Sequence, residues 1–236
     1  MCSLILSFDP SARWPIVMAA NRDERLDRGW DPPARYSPGI TAGRDRLAGG
    51  TWLGVNDDGV VAALLNRTGS LGPQPGKASR GGLPLMALTE RSASAARDRV
   101  AREEPGRYRA FNLVLVDASG GYVLRSDGTG TIATRVLAPG ITMITASDPN
   151  DMSSPRIARY KPLFEAAARP DPANGDWREW ETLLAVRTPP VDTALNVGPR
   201  DGFGTVCSSL VGLASGEVRF RFADGPPDIV GFRSIM

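Results

Sequence analysis

From its second residue the chain alternates, with Cys2, Leu4, Leu6 and Phe8 on one side and Ser3, Ile5 and Ser7 on the other. A period of two predicts a strand. Asp9-Pro10-Ser11 is turn chemistry, and the apolar run 15–20 predicts a second strand. The resulting hairpin ends at the polar cluster Asn21-Arg22-Asp23-Glu24. Residues 25–46 are rich in Pro, Arg and Gly, show no periodicity, and predict a long surface loop. A strand over 49–55, the turn Asn56-Asp57-Asp58-Gly59 and a strand over 60–65 predict a second hairpin, which closes on Asn66-Arg67. After a Gly- and Pro-rich connection, 83–103 predicts one amphipathic helix, with Leu85, Leu88, Ala95, Ala96 and Val100 against a charged face and Pro105-Gly106 as its stop.

Four short strands follow, at 111–117, 122–125, 132–137 and 141–145. Ser153 or Ser154 ahead of Pro155 predicts a helix start, running to about Ala168, and 177–186 predicts another helix. Runs 205–213 and 218–222 close the chain as a hairpin. Strands come first and last with helices between, which predicts the α+β class in a single domain over 1–236.

Composition narrows the function classes. Hydrophobic residues are 42% and charged residues 23%, an ordinary globular balance. The 28 basic and 26 acidic residues leave a net charge of +2, which makes no electrostatic case for nucleic acid. No targeting segment and no apolar run of membrane-helix length is visible, so a cytoplasmic protein without a membrane span is expected. Cys2 and Cys207 have no metal-ligand spacing, and no metal site is expected. The chain has no histidine, which excludes Ser-His-Asp and Cys-His catalysis and His-ligated zinc or haem iron. Acid-base work near neutral pH falls to a carboxylate, a perturbed Lys or Cys, a Tyr, or the α-amine.

That elimination gives position two its meaning. Met1 is removable when the next residue is small, and cysteine qualifies. The product carries a thiol and a free α-amine on one residue, and the amine, with a pKa of about 7.7–8.0, can take the thiol proton. A lone Cys2 is otherwise simply a small apolar residue opening a strand. The Asn21-Arg22-Asp23-Glu24 cluster sits where the second strand ends beside the first, so that a carboxylate could hold the amine and an asparagine could orient substrate. Its bland alternative is a strand-end turn with an exposed ion pair. Asn66 ends an apolar strand, a position suited to an oxyanion donor or to a simple turn. Arg44 and Arg67 could bind an anionic group, and Trp52 could line a pocket or pack in a core.

In combination these residues carry a resemblance. Met1-Cys2, Ala19-Ala20-Asn21-Arg22-Asp23-Glu24, Gly49-Gly50-Thr51-Trp52-Leu53-Gly54 and Ala62-Ala63-Leu64-Leu65-Asn66 occur in that order, with weaker matches at Phe111-Asn112-Leu113 and Gly202-Phe203-Gly204-Thr205. The chain resembles the NRDE, or transport-and-Golgi-organisation type 2, family. That family in turn resembles N-terminal-nucleophile hydrolases of the bile-salt hydrolase and penicillin V acylase type. The resemblance implies a four-layer αββα sandwich, with two antiparallel sheets covered by helices. It also implies Cys2 as nucleophile, Asp23 beside the α-amine and Asn66 as oxyanion donor. Asn21, Arg22, Glu24, Trp52 and Arg67 become the candidate substrate contacts. Two positions depart from the hydrolase pattern: Ala20 stands where those enzymes usually carry Arg, and Ala146 stands where they carry a second Asn, with Asn150 out of register.

Two classes of function follow, beside a blander reading in which a degenerate hydrolase fold serves protein interaction. One is an amidohydrolase or acyltransferase acting on a non-peptide amide or acyl substrate through Cys2, which needs no cofactor. The other is a non-enzymatic carrier of haem, acyl-CoA or lipid on the same fold. There, haem would be held by apolar contacts, arginine–propionate pairs, or Cys, Met or Tyr ligation. Oligomeric state is not legible in the sequence.

Overall fold

The computed structural model describes residues 2–188, 190 and 193–236. Met1, and with it the question of its removal, lies outside them. The chain forms two compact units: Met1–Arg28 with Ala138–Met236, and Gly29–Leu137.

The first unit is built on a six-stranded antiparallel sheet. Its strands are β1 (Ser3–Phe8), β2 (Ile16–Arg25), β10 (Gly140–Ile144), β11 (Phe203–Ala214), β12 (Glu217–Ala223) and β13 (Arg233–Ser234), in the order β10-β1-β2-β11-β12-β13. Helices α3 (Pro155–Ala166) and α4 (Arg178–Leu184) cover one face of it. Ile5, Val17, Ala19 and Leu210 from that face pack with Ile157, Tyr160, Phe164, Trp177, Trp180 and Leu184. The period-two reading of β1 holds: Ser3, Ile5 and Ser7 turn toward the helices, and Cys2, Leu4, Leu6 and Phe8 turn the other way.

β2 does not stop at Ala20 as the sequence predicts. It continues through the polar cluster to Arg25 and pairs with β11 along its whole length. Asn21, Arg22 and Asp23 are all buried, so the cluster is strand interior and not a strand-end turn. Hydrophobicity alone misplaces this boundary, because these polar groups are buried with partners.

The second unit is a seven-stranded antiparallel sheet in sequential order. It comprises β3 (Trp30–Ser37), β4 (Ile40–Asp45), β5 (Leu53–Asn56), β6 (Val61–Asn66), β7 (Phe111–Asp117), β8 (Gly120–Ser126) and β9 (Ala133–Val136). Two of these strands occupy the expected surface loop. β3 is an edge strand with two register shifts, and Pro32 and Pro33 sit where no ladder donor is required. Such a strand has no apolar alternation to read. The single helix expected over 83–103 is two, α1 (Gly82–Ala87) and α2 (Ala93–Ala101). The break is set by Ser92, whose hydroxyl accepts from the Ala95 N–H at 3.1 Å, and by Asp117, which accepts from the Ala93 N–H at 2.8 Å. Leu83, Ala87, Ala96 and Val100 from these helices pack on Ala62, Leu113, Leu115 and Leu124. Among the described residues no helix is long and apolar enough to cross a membrane.

Candidate active site

The site assembles around the start of β1. Ser3 is paired with Asn21, which brings Cys2 alongside Arg22 and Asp23. The Cys2 thiol donates to the Asp23 carbonyl at 3.5 Å and is partly buried. Burial pushes that thiol above its ordinary value, and the Asp23 carboxylate pushes it further, against smaller pulls from the N-terminal charge, the bond to the Asp23 carbonyl and, least, Arg22. With Met1 in place, Cys2 is therefore a protonated, unactivated thiol at neutral pH.

Alternation splits the polar cluster between the two faces of β2. Asn21 and Asp23 point to the helix side; Arg22 and Glu24 point away from it. Asn21 is a structural clamp. Its amide N–H groups donate to the carbonyls of Leu184 at 2.9 Å and Leu195 at 3.0 Å, and its oxygen accepts from the Ser208 hydroxyl at 2.7 Å. Arg22 pairs with Glu24 at 3.6 Å, and Glu24 also meets Arg28 at 3.8 Å.

The Asp23 side chain is fully buried. One oxygen accepts from the Thr205 hydroxyl at 2.6 Å, and that hydroxyl in turn accepts from the Val197 N–H at 2.7 Å. The other oxygen meets Arg156 Nη1 at 3.4 Å, while the same nitrogen donates to the Ser3 hydroxyl at 3.0 Å. A β-bulge makes this possible. The ladder slips at Val206, so Thr205 lies opposite Asp23 and Cys207 lies opposite Arg22. In an unbroken strand, residues 205 and 207 would share a face. The bulge sends Thr205 to the carboxylate and Cys207 to the Arg22 side. Cys207 is wholly buried there, and burial drives its thiol strongly upward.

Sequence reading missed Arg156 and the role of Thr205. Arg156 had one available signal. It is a cation directly after Pro155 in the first turn of a helix, where the helix dipole disfavours positive charge. Asn150, close to the hydrolase-like Asn position, is used locally: its oxygen accepts from the Met143 N–H at 2.8 Å. Ala146 is buried.

The remaining candidates lie in the second unit. Asn66 ends β6 opposite Phe111 and is partly buried. Arg67 donates to Asn112 at 2.9 Å and pairs with Asp127 at 3.1 Å. Trp52 stacks edge-on against Trp30, with ring centroids 5.7 Å apart, and lies directly on Gly43. Among the described residues no group of three or more His, Cys, Asp or Glu could hold a metal ion.

The model of the family described as Transport and Golgi organisation 2 matches residues 1–211. The chain belongs to that family. A Transport and Golgi organization protein 2 homolog from Bos taurus is 32% identical over 158 residues, covering 59% of this chain and 55% of the relative. The Mus musculus homolog is 30% identical over 155 residues, with the same coverage. This Transport and Golgi organisation 2 family chain thus matches about half the length of its curated relatives. Among solved structures, the Caenorhabditis elegans N-acylethanolamine-hydrolyzing acid amidase ortholog matches with a TM-score of 0.59 at 15% identity, over 89% of this chain and 92% of that one. Penicillin V acylase from Agrobacterium tumefaciens matches with a TM-score of 0.55 at 13% identity, over 94% and 83%. The C2A mutant of conjugated bile acid hydrolase from Clostridium perfringens matches at 0.51 and 10%, over 100% and 97%. At these identities the likeness shows the fold: the α+β fold of the N-terminal-nucleophile hydrolase type, carried here by a Transport and Golgi organisation 2 family member.

Proposed function

We propose that this protein is an N-terminal cysteine amidohydrolase or acyltransferase that acts on a non-peptide amide or acyl substrate. The observation that carries the reading is the placement of Cys2. Its thiol rests on the backbone carbonyl of Asp23, the residue whose buried carboxylate is held by Thr205 and Arg156 on the opposite face of the sheet. Buried charge of this kind is costly unless it is paired, and strand packing alone does not require it.

In the proposed cycle, removal of Met1 frees the Cys2 α-amine. The amine takes the thiol proton, and the thiolate sulfur bonds to the substrate carbonyl carbon as the C=O electrons move to oxygen. Collapse of the tetrahedral oxyanion breaks the carbonyl–nitrogen bond, and the leaving amine takes its proton from the Cys2 ammonium. Water, or a second nucleophile, then gives a proton to the Cys2 amine and bonds to the acyl carbon; the carbon–sulfur bond breaks and the Cys2 ammonium returns the proton to the thiolate. The names of the structural neighbours, an N-acylethanolamine-hydrolyzing amidase, a penicillin V acylase and a conjugated bile acid hydrolase, favour a small acyl amide as the substrate class.

Two mass measurements test this. Protein purified from cells is expected to lack Met1. Incubation with a panel of acyl amides, followed by acid quench, is expected to add an acyl mass to the peptide beginning at Cys2, and Cys2→Ala is expected to abolish the adduct. Quantitative retention of Met1 in cells would overturn the proposal.

A further inference from the structure

The Arg156–Asp23 pair is buried close to the start of β1. Arg156 comes from the first turn of α3, is almost wholly buried, and sits where the helix dipole is unfavourable to it. Its Nη1 nonetheless bridges Ser3 and Asp23, one residue from Cys2 on β1 and in the strand that Cys2 touches. An unpaired Asp23 carboxylate beside a new N-terminal amine would favour the ammonium form, which cannot accept the thiol proton.

We infer that Arg156 is a positioning residue for the Cys2 amine, neutralising Asp23 so that this carboxylate orients the amine without trapping it as ammonium. The inference rests on Cys2 carrying a free amine, the state the proposed function requires. Asp23 then offers the amine a fixed acceptor, with Thr205 and Arg156 setting its two oxygens, while the net charge of the Asp23–Arg156 pair is zero.

Other ionisable groups lie on the elements packed around this pair, among them Lys161 and Glu165 of α3, which pair with each other. Cys2 itself directly precedes β1, and Arg22 and Glu24 on β2 pair with each other, with Arg28 just beyond. Cys207 on β11 faces Arg22 and feels Asp224 beyond β12. Asp148 and Asp151 lie in the loop before α3. On α3, Arg159 is bonded to Thr193. α4 meets β2 through Asn21 and carries Arg178 and Glu179, both exposed, and Glu181, which is paired with Arg221. β10 carries no ionisable side chain.

The test uses full-length protein released from a cleavable tag so that Cys2 is the N-terminal residue, with carbon-13-labelled cysteine. The Cys2 resonances are followed by NMR from pH 5 to 10, and the lower of the two macroscopic midpoints is read. Arg156→Gln is expected to raise it by about one pH unit, and Asp23→Asn to lower it by about as much. Arg156→Lys is expected to stay near wild type, as is the double variant Arg156→Gln/Asp23→Asn. If Arg156→Gln does not fold, the downward shift in Asp23→Asn and the wild-type value of the double variant still decide the matter. An unmoved midpoint in a folded Arg156→Gln, or in Asp23→Asn, would overturn the inference. Shifted midpoints without acylation of Cys2 would sustain this inference and sink the proposed activity. Acylation with unmoved midpoints would do the reverse.

Discussion

Two thiols lie on the same side of one sheet, and their surroundings separate them. Cys2 directly precedes β1, partly exposed, and its thiol hydrogen is engaged by a carbonyl. Cys207 is buried in the middle of the ladder opposite Arg22. Both are held above the ordinary thiol value, chiefly by burial, so neither is a thiolate at neutral pH while Met1 remains attached. Native protein that keeps Met1 is expected to titrate one thiol with Ellman's reagent, slowly at pH 7 and faster at higher pH. Two thiols are expected in denaturant. Freeing the Cys2 amine is expected to speed the native reaction at pH 8, because the amine then supplies an internal base. A Cys207 that reacts in the native state as fast as Cys2 would contradict the burial on which this assignment depends.

At the scale of elements, the glycine-rich segment ahead of β5 shows what part of a family motif is structural. A Cβ on Gly50 would stand 2.4 Å from the Gly81 carbonyl carbon, and the Thr51 N–H bonds to the Gly81 oxygen at 3.0 Å. Two backbones dock here, and neither can retreat as a side chain could. Gly50→Ala is expected to destabilise the protein by about 1–3 kcal/mol, the range of overpacked sites. Gly82→Ala, whose Cβ meets nothing within 4 Å, is expected to leave thermal stability essentially unchanged. Equal melting temperatures for the two variants would refute the docking argument. The same scale shows where the sequence is legible. β1, β6, β7 and β11 are apolar runs in central or near-central strands, so hydrophobic pattern finds them. β3 and the end of β2 escape it for opposite reasons. One is an exposed, proline-bearing edge; the other buries polar groups that its neighbours satisfy. The juxtaposition of Cys2 with Asp23 is legible because adjacent hairpin strands make it local. Arg156 is not, because it arrives from a helix 133 residues away and only the fold brings it to Asp23.

The whole molecule has an unusual titration. With no histidine, no side chain has an ordinary pKa between pH 5 and 8. On the acid side, Asp9, Asp27, Asp31, Asp151 and Asp176 are held below the usual carboxylate range, mainly by bonds from Ser11, Arg25, Arg46, Ser153 and Arg178. A depressed folded value stabilises above the unfolded pKa, and that stabilisation is lost only as pH falls through the lower folded values. On the alkaline side, burial, with the bond to Glu103, pushes Tyr108 from 10.0 up to about 12. A raised folded value stabilises below the unfolded pKa, and its contribution disappears as pH rises from 10 through 12. The melting temperature is therefore expected to be flat from about pH 5 to 8, falling beyond both ends. The α-amine, near 7.7–8.0 when unperturbed, is then the one ordinary group left to titrate close to neutrality. Any acid limb in acylation of Cys2 between pH 6 and 8, measured on a protein whose stability does not change over that interval, reports the amine and not unfolding. A step in melting temperature near pH 6.5 would break that argument, since it would require a strongly perturbed buried acid to share the interval. A flat melting curve combined with an acid limb that shifts in Arg156→Gln would tie the pH dependence of the chemistry to the charge balance around Asp23.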